Sequence, residues 1–215
     1  MELTMSIEIM PDCIQSYKQP VDWAGIKLTP LEESDIDLLY IWQNTSNLRD
    51  LTMAFRFPIQ KETVKNWIVN HREQNGKSSV IFAIRQEGSL VGTVQLNNIN
   101  HYHRKATLGI YIGELQKRNS GLGFVSSALI IDYAFNGLDM RKIGLEVLWI
   151  NQNAIALYEK LGFRKEGVKV NDYFLDGRYL DVCIYGLQRS QWETRIPATA
   201  TRLVGTVDNN DQPQL

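Results

Sequence analysis

The sequence predicts an α/β domain, and three observations carry that prediction. Ala106 to Phe163 reads as strand, glycine turn, helix, strand and helix, in the runs ATLGIYIG, ELQKRNSGLG, FVSSALIIDYAFNGLDM, RKIGLEVLWIN and QNAIALYEKLGF. Ahead of it, two short β-type runs are joined through Glu87-Gly88. Behind it, two more are joined through Asp176-Gly177.

The elements follow in order. Ile26-Lys-Leu-Thr-Pro-Leu alternates as a first strand. Ser34-Asp35 is placed to cap a helix carrying Ile36, Leu38, Leu39, Ile41 and Trp42. Asn44 to Pro58 reads as a polar and aromatic loop, and Lys61 to Glu73 as a helix with a Val64, Trp67, Ile68 stripe. Ser79–Arg85 and Leu90–Leu96 form an antiparallel pair. The polar run His101-Tyr-His-Arg-Lys105 leads into the central strand. Lys142–Ile150, with Val147, Leu148 and Trp149, reads as a largely buried strand. Arg164–Val170 and Tyr179–Leu187 close the sheet. Residues 1–24 read as an N-terminal extension, 25–190 as the domain and 191–215 as a polar C-terminal tail without its own core.

Composition narrows the classes. With 215 residues and a formal net charge of −1, the chain is long enough for one substantial core and lacks the basic bias of nucleic-acid binding. No apolar run approaches a membrane span, and the acidic start MELTMSIEIMPDC lacks a signal-peptide core. Cys13 and Cys183 lie far apart in no metal spacing, so reduced thiols in a cytoplasmic protein are expected. His101 and His103 stand at i, i+2, but no cysteine or carboxylate completes a metal set, and no metal is expected.

The turn Arg118-Asn119-Ser120-Gly121-Leu122-Gly123 opens the central helix. Unpaired N–H groups at a helix N-terminus attract an anion such as a phosphate. No Gly-Lys-Ser/Thr closes the turn, and G-x-G-x-x-G is absent, so neither a nucleotide P-loop nor a dinucleotide fingerprint is present. By itself Arg-x-x-Gly-x-Gly reads equally well as a plain strand-to-helix turn.

The downstream residues decide between these. Arg118-x-x-Gly121-x-Gly123 followed by Asn151-x-x-Ala154-x-x-x-Tyr158-Glu-Lys-Leu-Gly162-Phe163 resembles the GNAT superfamily of acyl-CoA-dependent N-acyltransferases, from about Ile26 to Leu187. Asn98-Ile-Asn-His-Tyr-His-Arg-Lys-Ala-Thr-Leu-Gly109, Glu166-Gly167 and Gly177-Arg-Tyr-Leu-Asp181 resemble its ribosomal-protein N-terminal and spermidine acetyltransferase branch. Tyr40-Ile-Trp42-Gln-Asn44 is a short match to amino-sugar acetyltransferases.

The resemblance implies a mixed, mostly antiparallel sheet of six to seven strands, a central parallel pair that splays, and about four flanking helices. It implies acetyl-CoA as acetyl donor and a primary amine as acceptor: a polyamine, an amino sugar or a protein N-terminus. The loop Arg118–Gly123 would hold the cofactor pyrophosphate, with Arg118, Gly121 and Gly123 matching the motif and Asn119, Ser120 and Leu122 giving backbone. The strand end at Tyr111, Ile112 and Gly113 would supply an N–H to the thioester carbonyl. Asn151 would contact the cofactor arm, or simply cap its helix.

Tyr158 would protonate the leaving thiolate; a phenol of pKa about 10 is a donor at neutral pH. Its other reading is a core tyrosine. Arg49, Asp50, Phe55, Arg56 and Phe57 would face the acceptor, or else sit as core caps and solvated charges. Glu146, Glu114, His101, His103 or a water chain would take the amine proton. A homodimer is expected. The alternatives are an acyl-CoA sensor or scaffold without turnover, and a nucleotide-binding α/β protein.

Overall fold

The computed structural model describes residues 25–53, 57–74 and 77–193. Seven strands form one sheet in the order β1-β2-β3-β4-β5-β7-β6. They are β1 (Ile26–Thr29), β2 (Val80–Gln86), β3 (Ser89–Asn100), β4 (Lys105–Ile112), β5 (Lys142–Leu148), β6 (Arg164–Leu175) and β7 (Arg178–Gln188). Every neighbouring pair is antiparallel except β4 and β5. Glu87-Gly88 and Asp176-Gly177 both take positive φ at the two turn positions, the backbone that a tight hairpin following the strand twist requires.

Four longer helices flank the sheet: α1 (Ile36–Gln43), α3 (Lys61–Gln74), α4 (Leu122–Asp132) and α5 (Gln152–Leu161). Two short ones, α2 (Ser46–Thr52) and α6 (Arg189–Glu193), are added. The stretch expected to be loop from Asn44 therefore contains a helix. Its sequence, SNLRDLT, has no apolar stripe long enough to signal one.

Alternation along the strands sends side chains to two cores. The larger joins Phe82, Val94, Leu96, Leu108, Ile143 and Leu187 to α4 and to Tyr158 and Leu161 of α5. The smaller joins Leu39 and Trp42 of α1 and Val64 and Ile68 of α3 to Ala83 and Leu90. From Phe124 to Asp132 every residue of α4 is buried, as expected of a helix that is apolar all round. Of the apolar residues of α1, Ile36, Leu39 and Trp42 are buried, while Leu38 and Ile41 face solvent.

Two further expectations are corrected. Strand β5 ends at Leu148, and Trp149 is 50% exposed. The apolar run outlasts the strand because its last backbone pair in the register is Leu148 with Val182, after which the chain turns into α5. Asp35 does not cap α1 with its side chain. Its Oδ2 accepts the Glu32 N–H at 2.9 Å and also a bond from Arg85 Nη2 at 2.8 Å, while Arg85 Nε donates to Thr29 Oγ1 at 2.9 Å. This buried ion pair stitches β1, β2 and the start of α1.

Asp132, at the end of α4, is buried where the helix passes into a π turn over Tyr133–Gly137. Burial raises its pKa, opposed by the hydrogen bond that Asn136 Nδ2 donates to Asp132 Oδ1 at 2.7 Å. Trp192 of α6 is in the larger core.

Two outcomes are expected. Asp35→Ala leaves the Arg85 charge without its buried partner and lowers unfolding free energy by about 3–5 kcal/mol in urea titration. For Asp132, the native state holds its proton more tightly than the unfolded state. Its contribution is therefore present at acid pH and is lost as pH rises from the ordinary carboxylate value through the raised one. Asp132→Asn then shows a higher melting temperature relative to the parent near neutral pH than at acid pH. A pH-independent difference would refute this.

Candidate functional site

The parallel contact between β4 and β5 is brief. Only Lys105, Ala106 and Thr107 pair, with Lys142, Ile143 and Gly144. Beyond that point β4 runs on to Ile112 and β5 to Leu148 without pairing, and a cavity of about 820 Å³ opens between them. One half is lined by the end of β4, the turn before α4, and Asn151, Ala154, Leu157 and Tyr158 of the α5 region. The other half is lined by Gln95, Asn97 and Asn98 of β3, Thr107 and Gly109 of β4, Glu146 of β5, and Leu51–Met53 at the end of α2.

The ladder fixes which backbone groups face the gap. Gly113 N–H donates to Val91 O at 2.9 Å, so Val91 and Gly113 are a hydrogen-bonded pair. Antiparallel ladders alternate, and the register pairs Thr93 with Tyr111. Tyr111 thus turns its N–H and C=O to β3, whereas Ile110 and Ile112 turn theirs to the β5 side. Arg118 Nε donates to Ile112 O at 3.1 Å, in agreement with that phase. Of the three residues expected to supply a donor, Ile112 presents its N–H to the cleft. The N–H groups of Tyr111 and Gly113 are committed to β3.

The Tyr111 side chain lies on the smaller core, edge-on to Trp42 at 6.4 Å between ring centroids. Burial pushes its pKa up to about 12. Gly113 is buried beneath the Trp42 indole, and a Cβ there would fall inside that ring.

In the turn, Asn119 and Gly121 both take left-handed backbone, at φ 60 and 91. Ser120 Oγ donates to Lys117 O at 2.6 Å. Gly121 O accepts the Val125 N–H and so begins α4; the N–H groups just ahead have no intrahelical partner. Arg118, Asn119, Gly121 and Gly123 line the cavity; Ser120 and Leu122 do not, and Leu122 is in the core. Burial lowers the Arg118 pKa. A Cβ on Gly123 would come 3.4 Å from Leu157 of α5, at ordinary van der Waals contact.

Asn151 uses both ends of its amide. Oδ1 accepts the Ala154 N–H at 3.2 Å and caps α5, and Nδ2 reaches Leu51 O at 3.5 Å. Tyr158, in the middle of α5, is buried against Phe163, yet it also lines the cavity. Burial pushes its pKa up to about 12.

Among the candidate bases, Glu146 lines the cavity and pairs with Lys169 at 2.6 Å. Glu114, His101 and His103 do not line it. Arg49 belongs to α2, Asp50 does not line the cavity, and Phe57 is 71% exposed away from it. Phe55 and Arg56 lie outside the described residues.

The sequence reading missed Gln95, Asn97, Lys117 and Lys160, all of which line the cavity. Lys160 Nζ stands 5.4 Å from the centre of the Phe124 ring. Polar residues at Gln95 and Asn97, within a strand of buried neighbours, were the available signal, as was Gly109 in a strand interior. Among the described residues no helix is long and apolar enough to cross a membrane, and no group of three or more His, Cys, Asp or Glu is placed to hold a metal.

The acetyltransferase (GNAT) domain family matches residues 26–164. A spermidine N(1)-acetyltransferase of Escherichia coli is 31% identical over 164 residues, covering 75% of this chain and 86% of that protein. A putative ribosomal N-acetyltransferase of Bacillus subtilis is 26% identical, covering 78% and 93%. Among solved structures, the Vibrio cholerae spermidine N-acetyltransferase in complex with CoA and spermine superposes with a TM-score of 0.72 at 27% identity, covering 78% of this chain and 98% of that one. A dodecameric form of spermidine N-acetyltransferase from Vibrio cholerae gives 0.69 at 28%, covering 80% and 99%.

The Trp42–Gly113 contact is directly testable. Gly113→Ala is expected to cost about 1–3 kcal/mol through overpacking. In a Trp42→Ala background the same change should cost much less, as read by a double-mutant cycle in urea. Additive losses would mean that the ring does not brace the strand end.

Proposed function

The chain belongs to the acetyltransferase (GNAT) domain family, and from that membership and the cleft we propose how it moves an acetyl group from acetyl-CoA to a primary amine. The observation that carries the proposal is the splay of β4 from β5 beside the start of α4, with Tyr158 in its wall.

The residues suit the donor. Gly121 and Gly123 leave backbone N–H groups open at the start of an 11-residue helix, which fits a pyrophosphate. Lys117, Arg118 and Lys160 add positive charge on the same side. The unpaired edge of β4 supplies the donors and acceptors that an amide-containing pantetheine arm needs, and Asn151 stands at the far wall. Bound there, acetyl-CoA supplies an activated thioester.

The chain's own groups then do four things. They hold the donor along β4. The Ile112 N–H faces the gap and donates to the acyl oxygen as negative charge builds on it. The cavity holds the amine against the acyl carbon, so that the N–C bond forms as the C–S bond breaks. Tyr158 gives its proton to the departing sulfur and regains one from solvent. Its raised pKa keeps the phenol protonated well above neutrality, as a general acid requires. Among the named bases, Glu146 is the one within the cavity to receive the amine proton, directly or through water.

The acceptor enters from the side of β3 and α2. Leu51–Met53 carry the chain from Arg49 toward Phe55 and Arg56, and these three are proposed as acceptor contacts. Spermidine, in the names of the Escherichia coli and Vibrio cholerae relatives, is one acceptor class; an amino sugar and a protein N-terminus are the others. Copies of this chain are proposed to associate through the hairpin of β6 and β7. Strand β6 ends the sheet, and Val170 and Tyr179 are 72% and 67% exposed.

The test is free-thiol release from acetyl-CoA across these amines, with Tyr158→Phe in parallel. The variant is expected to lose about 10²–10⁴ in kcat while acetyl-CoA binding is unchanged. In the parent, no alkaline loss of rate from this phenol is expected below the ordinary value of about 10. Full activity in Tyr158→Phe would remove the assigned acid.

A further inference from the structure

Resting on the transfer reading above, we infer that the acceptor is a hydroxyl-bearing primary amine of the amino-sugar type, without the further ammonium groups of a polyamine, and that Gln95 with Asn97 and Asn98 reads it. The acceptor half of the cavity is lined by amides where a polycation would need carboxylates. Gln95 lies opposite Gly109 in the β3–β4 register. A Cβ on Gly109 would come 3.1 Å from Gln95 Nε2 and 3.2 Å from its Cγ. The bare backbone of Gly109 thus gives the Gln95 side chain room to lie over β4. Its Oε1 is buried with no hydrogen-bond partner among the described residues. An acceptor in that position, left without a donor, is costly until a ligand or a water supplies one.

The next two amides are brought in by a distortion. Residues 97 and 98 of a regular strand point to opposite faces. Here the register slips between Asn97 and Asn100, and Asn98 takes φ 52, so both line the cavity. A bulge that re-aims a side chain is a common device beside a site. Three neighbouring amides offer both donors and acceptors, which matches hydroxyl groups that also do both.

Charge points the same way. The one carboxylate on the described lining is Glu146, and it is already paired with Lys169 at 2.6 Å. The cationic lining residues, Lys117, Arg118 and Lys160, lie on the donor side. The acidic cluster near α1 does not help. Asp35 is bound to Arg85, Asp37 pairs with Lys61, and neither these nor Glu32 and Glu33 line the cavity. A second or third ammonium of a polyamine would be desolvated there without a free partner.

The experiment uses the full chain and acetyl-CoA with four acceptors: glucosamine, a uridine-diphosphate-linked amino hexose, spermidine, and a short peptide with a free N-terminus. At least one amino sugar is expected to exceed spermidine ten-fold or more in kcat/KM, and the two sugar arms separate a free from a nucleotide-linked source. Gln95→Glu should shift the amino-sugar-to-spermidine ratio at least ten-fold toward spermidine, and Asn97→Asp should shift it the same way. If Gln95→Glu melts early, Asn97→Asp and Lys169→Met, which frees Glu146, carry the comparison. A parent that prefers spermidine, or ratios unmoved by these changes, would overturn the inference. So would thiol release with a peptide amine alone, although that result leaves acetyl transfer standing. No thiol release with any amine, under conditions where acetyl-CoA binds, would overturn both.

Discussion

The rest of the structure depends on a parallel strand pair that stops after three residues. Past Thr107 and Gly144 the backbone of β4 has a partner on one side only. Polar backbone groups in the middle of a sheet are ordinarily paired, and leaving them open is unfavourable unless water or a ligand answers them. The gap is held by its surroundings. β4 is fixed on its other edge by continuous antiparallel pairing to β3 from Thr107 to Ile112, and β5 is fixed by seven residue pairs to β7. Helix α4 fills the larger core beneath, and α5 forms the far wall of the gap. The opening is therefore part of a rigid frame.

Around that gap several side chains hold geometry as well as present chemistry. Arg118 is tied through Nε to Ile112 O, so the turn before α4 and the end of β4 move together. Asn151 caps α5 and touches Leu51, joining the wall that carries Tyr158 to the segment on the acceptor side. Trp42 lies across Gly113 from the other face of the sheet, and Asn44, just beyond α1, exchanges hydrogen bonds with the Ile59 backbone. The proposed donor Ile112 N–H is thus bracketed on both faces, which suits a site whose rate comes from placement and fixed dipoles.

Burial sets the character of the two tyrosines differently. Tyr111 and Tyr158 are both pushed to about 12, but Tyr111 belongs to the smaller core. Tyr158 belongs to the larger core and the cavity wall at once. The core and acid readings of Tyr158 are therefore compatible: packing on Phe163 fixes the ring, and its place in the cavity wall puts it where a donor is useful.

By itself the sequence determined the strands and four longer helices, because their periods, turn glycines and apolar runs are local properties. Both hairpin turns and the helix start at Leu122 were legible for that reason. So were the family and its reaction, since Arg118, Gly121, Gly123, Asn151 and Tyr158 keep a fixed spacing along the chain. What only the tertiary structure decided is what depends on neighbours distant in sequence. The phase of the β4 ladder is set by Val91, and it makes Ile112, rather than Tyr111 or Gly113, face the gap. Trp149 falls outside the buried strand because the β5–β7 register closes at Leu148 with Val182 and the chain then turns toward α5. Asp35 serves Arg85, fifty residues away, instead of its own helix. Gln95 becomes part of the site only because Gly109 lies opposite it, a cross-strand relation that no local pattern encodes.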